Sequence, residues 1–450
     1  MHTISKESIR AWAHAHEPEM VEDVMRLVRI PSVSQNCNAP EAPYGEACAH
    51  ALDEGLSMCR KYGLETKDIG RQCGIALWKG QTDKTIGIFG HLDVVPAGSG
   101  WDTPPYKPVV SRGYILGRGA SDNKGPTVAA LYAMRCLREQ GVQLKHGIQL
   151  YLGCNEEAGM SDIHYFTSHE PQPVFCLVPD VSFPVCCGEK GTLTADLVCN
   201  ISGSNLIEFS GGIASNSVPV AAHAVLSGFS SDTVQVLAEN CTGIICRQEG
   251  PHLRIDASGI AGHAAFPEGT ESAIQKLAAF LSYNHLATGP AASAISFLAD
   301  AFSDAYGKGL DIDFSDDISG KTTHIGGMVH LENNHLVQNI NVRYAIQANP
   351  EKLIAQLHAR CEAAGFAIEH LHNDPPYYTS PSHPAVPFLL RAYQDVYGGP
   401  AEPYVMGGGT YARKLKNAVG FGPGMPALSS PFRGGHQPCL LYTSDADDDS

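Results

Sequence analysis

Several features are scarce in this chain, and each scarcity excludes a class of protein. No stretch approaches the run of about 18 apolar residues that a membrane-spanning helix needs, so we expect no membrane partner. The first residues, Met1 to Glu7, contain neither the apolar segment nor the cleavage-like site of a secretory signal. We therefore expect a protein that is not exported.

Cysteine pairs with the spacing of a metal site or a disulfide framework are also missing. The 14 cysteines are scattered, include the adjacent Cys186 and Cys187, and form no Cys-x-x-Cys motif. This pattern supports neither a disulfide scaffold nor a cysteine-ligated zinc site. It fits the reducing cytoplasm, which is our expected location.

Basic residues are too few to balance the acidic ones. The 450 residues include 31 Lys and Arg against 47 Asp and Glu, a formal net charge of −16. Nucleic acid and anionic membrane surfaces would repel such a chain, so we expect neither as a partner. A hydrophobic content of 43% indicates a globular protein, and the length favours two domains.

One histidine and one carboxylate follow an apolar, partly β-branched run. The segment Thr85–Phe89 reads as a buried strand, and it leads directly into Gly90–Pro96. His91 and Asp93 are two residues apart and share a face of an extended chain. This spacing suits a metal-binding imidazole whose second nitrogen is held by a carboxylate.

Other predicted elements also end in acidic residues. Asp122 lies where a glycine-rich loop enters a helix predicted over 126–138, and Glu156 and Glu157 follow the strand predicted at 148–152. Asp180 follows the apolar run 174–178. Strands that alternate with helices and end in candidate ligands predict an α/β domain, a sheet covered by helices, with its site at the strand ends.

The pattern changes near residue 191. Alternating apolar and polar stretches predict half-exposed antiparallel strands, with helices near 271–283 and 350–364. We therefore predict a catalytic domain from 1–190 and 376–438, and an inserted α+β lid domain over 191–375. The last stretch, 439–450, lacks helical periodicity and reads as a non-native tail in place of a closing helix.

Two imidazoles and three carboxylates form a candidate ligand set. This donor set suits Zn²⁺, or Mn²⁺ and Co²⁺, better than calcium or a metal that prefers thiolates. The five residues are His91, Asp122, Glu157, Asp180 and His436.

Four ordered motifs carry a resemblance to a known family. They are Gly90–Pro96, Gly117–Gly125, Asn155–Glu157 and Pro179–Asp180. In order and spacing they resemble the dinuclear zinc peptidases that include carnosinase, aminoacylase, the ArgE/DapE enzymes and carboxypeptidase G. Within that group the chain is most similar to bacterial dipeptidases of the PepV/Sapep type, from about residue 20 to residue 438. The resemblance implies a zinc-peptidase catalytic domain, a mixed sheet covered by helices, with an inserted lid.

The resemblance also implies how two divalent ions would be held. His91 and Asp180 would bind one metal, Glu157 and His436 the other, and Asp122 would bridge them. Two such cations lower the pKa of a water molecule between them toward about 7.

Catalytic roles follow from the same resemblance. Asp93 would orient His91, and Glu156 would be the general base that takes the proton from water and passes it to the leaving amine. His263 would polarise the scissile carbonyl as a third catalytic residue.

Four further residues match substrate-binding positions of the family. Asn216 would hold the oxyanion, and Arg343 would bind the terminal carboxylate of the substrate with its guanidinium fork. Gly409 and Thr410 lie in a glycine cluster whose backbone N–H groups would face the substrate.

These features predict a metal-dependent dipeptidase acting on dipeptides with a free C-terminal carboxylate. An N-acyl amino acid deacylase or desuccinylase of the same fold is the alternative, and the lid pocket would decide between them. A catalytically silent binding protein is a third reading. It predicts the loss of Glu156 or of a ligand, and none of these residues is missing.

We predict an active monomer, because a lid of about 185 residues is large for one α+β layer and can supply His263 to the metals of its own chain. Mixing a Glu156→Gln chain with a His263→Ala chain should then restore no activity above the sum of the two. Recovery in the mixture would mean that His263 acts across a subunit interface.

Overall fold

The computed structural model describes residues 4–239 and 241–425, and the backbone of 438–440. The chain forms two compact units. The first comprises Met1–Cys187, Thr379–Tyr404 and Thr410–Ser450, and the second comprises Gly188–Tyr378 and Val405–Gly409.

Both units contain helices and strands. The described α-helices are α1 (Lys6–Val28), α2 (Glu46–Lys61), α3 (Lys124–Glu139), α4 (Ser161–His169), α5 (Ser231–Ala238), α6 (Ala273–Tyr283), α7 (Pro290–Ala301), α8 (Pro350–Ala363) and α9 (Val386–Tyr397). Short 3₁₀ turns span Lys308–Leu310 and Tyr411–Lys414.

The strands up to residue 200 are β1 (Glu65–Ile69), β2 (Cys73–Trp78), β3 (Thr82–His91), β4 (Val109–Ser111), β5 (Tyr114–Leu116), β6 (His146–Gly153), β7 (Phe175–Val178), β8 (Val181–Ser182), β9 (Val185–Glu189) and β10 (Gly191–Asn200). The later strands are β11 (Leu206–Gly211), β12 (Ala221–Ser227), β13 (Ile244–Glu249), β14 (His252–Ser258), β15 (Ser315–Asp316), β16 (Gly320–Lys321), β17 (Thr323–Ile325), β18 (Val329–Glu332), β19 (His335–Tyr344), β20 (Ala367–Asp374), β21 (Tyr377–Tyr378), β22 (Pro403–Met406), β23 (Ala418–Gly420), β24 (Pro423–Gly424) and β25 (Pro438–Leu440).

The first unit is built on a mixed sheet with strand order β1-β2-β6-β3-β7-β23-β9. Strand β3 is parallel to both β6 and β7, and β23 is parallel to β7. The central strands are rich in apolar residues because helices cover the sheet. Because β3, β6 and β7 run parallel, their carboxyl ends meet at one edge of the sheet.

A glycine allows α3 to pack closely on β3. A Cβ at Gly90 would lie only 2.2 Å from Thr127 Oγ1 on α3, so a larger residue would push the helix away. Leucines of the surrounding elements, including Leu27, Leu52 and Leu131, are buried in the same core. This packing fixes the start of α3 relative to the end of β3.

The second unit is built on an antiparallel sheet with strand order β13-β14-β12-β11-β18-β19-β10-β20, and β17 pairs with β19. Its strands alternate buried and exposed side chains, as in β14, because one face of the sheet packs on α6 and α7. Leu193, Phe209, Leu253 and Leu281 lie in this core. The unit is therefore an α+β layer with its own hydrophobic core.

The segment Val405–Gly409 groups with the second unit, although the sequence analysis assigned it to the first domain. The Lys190 N–H donates to the Met406 carbonyl at 2.9 Å, and the Arg343 guanidinium donates to the Gly407 carbonyl at 3.3 Å. These hydrogen bonds join residues far apart in the sequence, and no local sequence pattern predicts them.

Strand β25 pairs antiparallel with β5, Cys439 opposite Ile115. Two residues of the predicted non-native tail, Cys439 and Leu440, therefore form part of a strand, and 441–450 lie outside the described residues. None of the described helices is both long and apolar enough to cross a membrane.

Candidate metal centre

Five of the predicted site residues meet at the strand edge of the first unit. His91 is the last residue of β3, and Glu156 and Glu157 lie in the turn after β6. Asp180 follows β7, and Asp122 precedes α3 by two residues. The parallel register places His91 beside Gly153, so the segments that follow these strands begin side by side.

The imidazole of His91 faces carboxylates through Nε2. This nitrogen lies 3.1 Å from Asp122 Oδ1 and 3.6 Å from Asp180 Oδ2. His91 is almost fully buried, and its Nε2 still has no hydrogen-bond partner among the described residues, since the carboxylates lie near it outside hydrogen-bond geometry. A ring nitrogen lone pair and carboxylate oxygens directed at the same space are the arrangement of a cation site.

The side chain of Asn123 holds the cluster together. Its Oδ1 accepts from the His91 backbone N–H at 3.3 Å and from the Thr127 hydroxyl at 3.0 Å. Its Nδ2 donates to Asp180 Oδ1 at 2.9 Å and to the Pro179 carbonyl at 2.7 Å. One buried amide therefore links the ends of β3 and β7.

Asp93 contacts both His91 and the turn after β6. The sequence indicated only the contact with His91. His91 Nδ1 is 3.0 Å from the backbone carbonyl of Asp93 and 3.4 Å from its Oδ1, so the carbonyl is the nearer partner. The carboxylate accepts the backbone N–H groups of Glu156 at 3.1 Å and of Glu157 at 3.0 Å. Asp93 thus orients the imidazole and anchors the two glutamates.

The pKa values of these groups are shifted because several acids are buried close together. Burial would lower the pKa of His91, but the carboxylates of Asp122, Asp180 and Asp93 outweigh it and raise that pKa well above its ordinary value. Burial raises the pKa of Glu156 well above its usual range, and burial with the Asp122 carboxylate raises that of Glu157 to about 8.

Bound cations would relieve this excess, so the residues present fit a metal. A buried carboxylate is stable only when it is paired, hydrogen-bonded or bound to a cation. Glu156 Oε1 is buried and has no hydrogen-bond partner among the described residues. Oxygen and imidazole donors of this kind suit Zn²⁺, Mn²⁺ or Co²⁺.

Two groups of three residues each bring one ligand atom within 4.8 Å of the others. They are His91, Asp122 and Glu157, and His91, Glu156 and Asp180. Proximity therefore does not separate the predicted ligand Glu157 from the predicted base Glu156. His436, the remaining predicted ligand, lies outside the described residues.

In the second unit, the segments carrying Asn216 and His263 lie side by side. Ser217 and His263 form a β-bridge, and the Ala264 N–H donates to the Asn216 carbonyl at 2.9 Å. His263 Nδ1 accepts from the Ala265 N–H at 3.1 Å, so in the neutral ring the proton is on Nε2. Burial and then the charge of Arg343 lower the pKa of His263, which favours this neutral, donating form.

Arg343 on β19 is held by three neighbours of the second unit. Its Nε donates to Asn341 Oδ1 at 3.0 Å, and its Nη1 donates to Thr192 Oγ1 at 2.9 Å and to the Gly407 carbonyl at 3.3 Å. The guanidinium is partly buried and its direction is fixed. A fork held in this way can bind a carboxylate with little loss of side-chain entropy.

Gly409 and Thr410 differ in their surroundings. Gly409 is exposed, whereas Thr410 is buried and its hydroxyl accepts from the Ala412 N–H at 3.1 Å, which caps the 3₁₀ turn that follows. Thr410 therefore has a local structural function beside the predicted one.

Sequence reasoning assigned no function to Asn123, although it stands inside one of the quoted motifs. The signal was its position directly after Asp122, since an amide beside a ligand is a common means of orienting other ligands.

Comparison with known proteins gives matches over most of the chain. The sequence model of peptidase family M20/M25/M40 matches residues 87–438 of this chain. YtjP of Bacillus subtilis (strain 168) is 31% identical over 422 residues, which cover 91% of this chain and 90% of that protein. The β-Ala-Xaa dipeptidase of Lactobacillus delbrueckii subsp. lactis is 31% identical over 427 residues, 91% of this chain and 89% of that protein.

Solved structures of similar fold have low sequence identity. Dug1p of Saccharomyces cerevisiae, described as a dipeptidase, superposes with a TM-score of 0.57 at 14% identity over 93% of this chain and 92% of its own. Human carnosine dipeptidase 1 gives a TM-score of 0.57 at 14% identity, covering 97% and 94%. Together with the sequence matches, these structures confirm the predicted fold class.

Replacing Asp122, the predicted bridging ligand, should differ in effect from replacing Glu156, the predicted base. We expect Asp122→Ala to lose divalent metal, because it removes an oxygen that faces His91 Nε2, and Glu156→Gln to keep nearly all of it. Metal content after dialysis and calorimetric titration with Zn²⁺ measure both, with the exposed Asp83→Ala as the control. Loss of metal from Glu156→Gln would instead make Glu156 the ligand.

Proposed function

The chain belongs to peptidase family M20/M25/M40, and on this premise we propose that it is a metal-dependent dipeptidase. Its substrates would be dipeptides with a free C-terminal carboxylate. A relative that shares 31% of its residues over 91% of the chain is a β-Ala-Xaa dipeptidase, which supports this substrate class.

The proposal rests on two buried atoms, each of which has no hydrogen-bond partner among the described residues. His91 Nε2 is a lone-pair donor beside the Asp122 and Asp180 carboxylates, and Glu156 Oε1 is a carboxylate oxygen without a donor. A metal ligand and a proton acceptor are the two functions that hydrolysis with an activated water requires.

His91, Asp122, Glu157, Asp180 and the undescribed His436 would hold two divalent ions, of which Zn²⁺ fits the donors best and Mn²⁺ or Co²⁺ is acceptable. When bound, such ions supply Lewis acidity and lower the pKa of water.

Glu156 would move the proton during the reaction. Its carboxylate is buried at the strand edge, and its backbone N–H is fixed by Asp93. Burial raises the pKa of Glu156, which makes its carboxylate a stronger base than an exposed glutamate. A base in this place would accept a proton from water and return it to the leaving amine.

The second unit would supply substrate contacts. The neutral His263 ring, with its proton on Nε2, is suited to donate to a carbonyl oxygen on which negative charge develops. Asn216 stands on the adjacent segment and is exposed, so its amide is accessible for the same task. Gly409 and Thr410 remain predicted substrate contacts.

We also propose a cytoplasmic location. No disulfide joins the 13 cysteines from Cys37 to Cys361, and most of them are buried. This many cysteines without disulfides fit a reducing compartment.

A substrate panel tests the proposed function. Metal-loaded protein should release amino acids from dipeptides at rates well above those for N-acetyl amino acids or N-succinyl-diaminopimelate. Glu156→Gln should lower kcat by several orders of magnitude while metal content stays near that of the wild type, because it removes only the proton acceptor. Preference for the acylated substrates would indicate a deacylase, and no turnover of any substrate would indicate a silent binding protein.

Arg343→Ala should raise KM for free dipeptides much more than for dipeptides with an amidated C terminus. Loss of a charged partner for a buried carboxylate costs about 2 to 5 kcal/mol. Steady-state kinetics on matched free and amidated substrates measure the difference. The control is Arg247→Ala, an exposed arginine whose ion-pair partner is Asp256 of the neighbouring strand. Equal effects of Arg343→Ala on both substrates would make Arg343 structural.

A further inference from the structure

Four consecutive backbone N–H groups, those of Cys154 to Glu157, donate to two buried carboxylates. Glu156 and Glu157 donate to Asp93, as described above. Cys154 donates to Asp162 Oδ2 at 2.7 Å and Asn155 donates to the same oxygen at 3.0 Å. The segment that carries the predicted base and a predicted ligand is therefore held from both of its halves.

Asp162 is in turn held by a tyrosine from a distant part of the chain. It lies in the first turn of α4, is fully buried, and its Oδ1 accepts from the Ile163 N–H at 2.7 Å. The Tyr411 hydroxyl donates to Oδ2 at 2.5 Å, so this one oxygen receives three hydrogen bonds. Both of its oxygens thus accept hydrogen bonds from the protein.

A glycine makes this contact possible. Gly153 ends β6, and a Cβ at this position would lie 2.0 Å from Tyr411 Oη and 2.8 Å from Asp162 Oδ2. Any larger residue would separate the tyrosine from the carboxylate. Gly153 is also the residue beside His91 in the parallel register, so Tyr411 is held next to the end of β3 as well.

We propose that Asp162 and Tyr411 are positioning residues for Glu156 and Glu157. By fixing the backbone of Cys154 and Asn155, they set where the next two side chains begin. The effect on catalysis depends on the proposed function, whereas the effect on Glu157 as a ligand depends only on metal binding.

Such a device has a physical purpose. A turn after a strand has few bonds of its own, yet ligands and bases must be held within about 0.5 Å of their working geometry. Asp93 fixes only the second half of this segment. Without the first half fixed, the turn could pivot on Asp93 and carry both glutamates with it.

The test compares two buried tyrosines, of which Tyr411 bonds Asp162 and Tyr151 does not. Tyr411→Phe removes the hydroxyl that bonds Asp162, whereas Tyr151→Phe removes a hydroxyl that is equally buried and has no hydrogen-bond partner among the described residues. The rings of Tyr151 and Tyr411 pack on each other at 5.4 Å, so the surroundings are matched. Zn²⁺ affinity is measured by competition with a chelator, and kcat and KM are measured at metal saturation.

We expect Tyr411→Phe to bind Zn²⁺ about 10-fold to 100-fold more weakly and to lower kcat with KM within about twofold, as for other residues that orient ligands. Tyr151→Phe should leave all three values within about twofold. A merely structural contact would lower the unfolding midpoint without separating kcat from KM.

If Tyr411→Phe folds poorly, Asp162→Asn serves as the second variant, because its amide keeps the shape but cannot accept all of these bonds. Unchanged Zn²⁺ affinity in a folded Tyr411→Phe or Asp162→Asn protein overturns the proposal. If wild-type protein hydrolyses no dipeptide, the proposed function fails, and the Zn²⁺ affinities alone still decide on the positioning residues.

Discussion

The constraint on which the first unit depends is the burial of negative charge. Five carboxylates, those of Asp93, Asp122, Glu156, Glu157 and Asp180, lie around the imidazole of His91. Two like charges 4 Å apart repel by about 4 kcal/mol at an effective dielectric constant of 20. The fold keeps them together with a few buried donors, the amide of Asn123 and the N–H groups of the turn after β6. A bound cation would balance this negative charge.

The parallel strands explain why these residues meet. Strands β3, β6 and β7 run in the same direction, so the residues that follow them lie at one edge of the sheet although they are far apart in the sequence. Helix packing then positions Asp122. Gly90 lets α3 pack closely on β3, and Asp122, just before α3, therefore lies near His91. The sheet therefore supplies the position of each acid, and the hydrogen bonds supply its direction.

Much of this arrangement could be predicted from the sequence, because β3, β6 and β7 are local apolar runs, and His91, the Glu156–Glu157 pair and Asp180 lie at or shortly after their ends. Asp122 was predicted instead from its place where a glycine-rich loop enters a helix. The carboxylate of Asp93 could not be predicted to bond Glu156 and Glu157, because those bonds join residues more than sixty positions apart. Asp162 was missed for a similar reason: a helix residue with ordinary neighbours becomes important only when β6 and Tyr411 converge on it.

Glu156 differs from the other acids in a way that bears on function. Asp93 and Asp162 receive backbone donors on their carboxylates, and Asp180 receives the amide of Asn123. Glu156 Oε1 is buried without such a donor among the described residues, which costs folding free energy. A purely structural carboxylate would be expected to acquire a donor or to be replaced by an apolar residue. In the proposed function this unpartnered oxygen would accept the proton from water, and the backbone bond to Asp93 would hold Glu156 in place for that step.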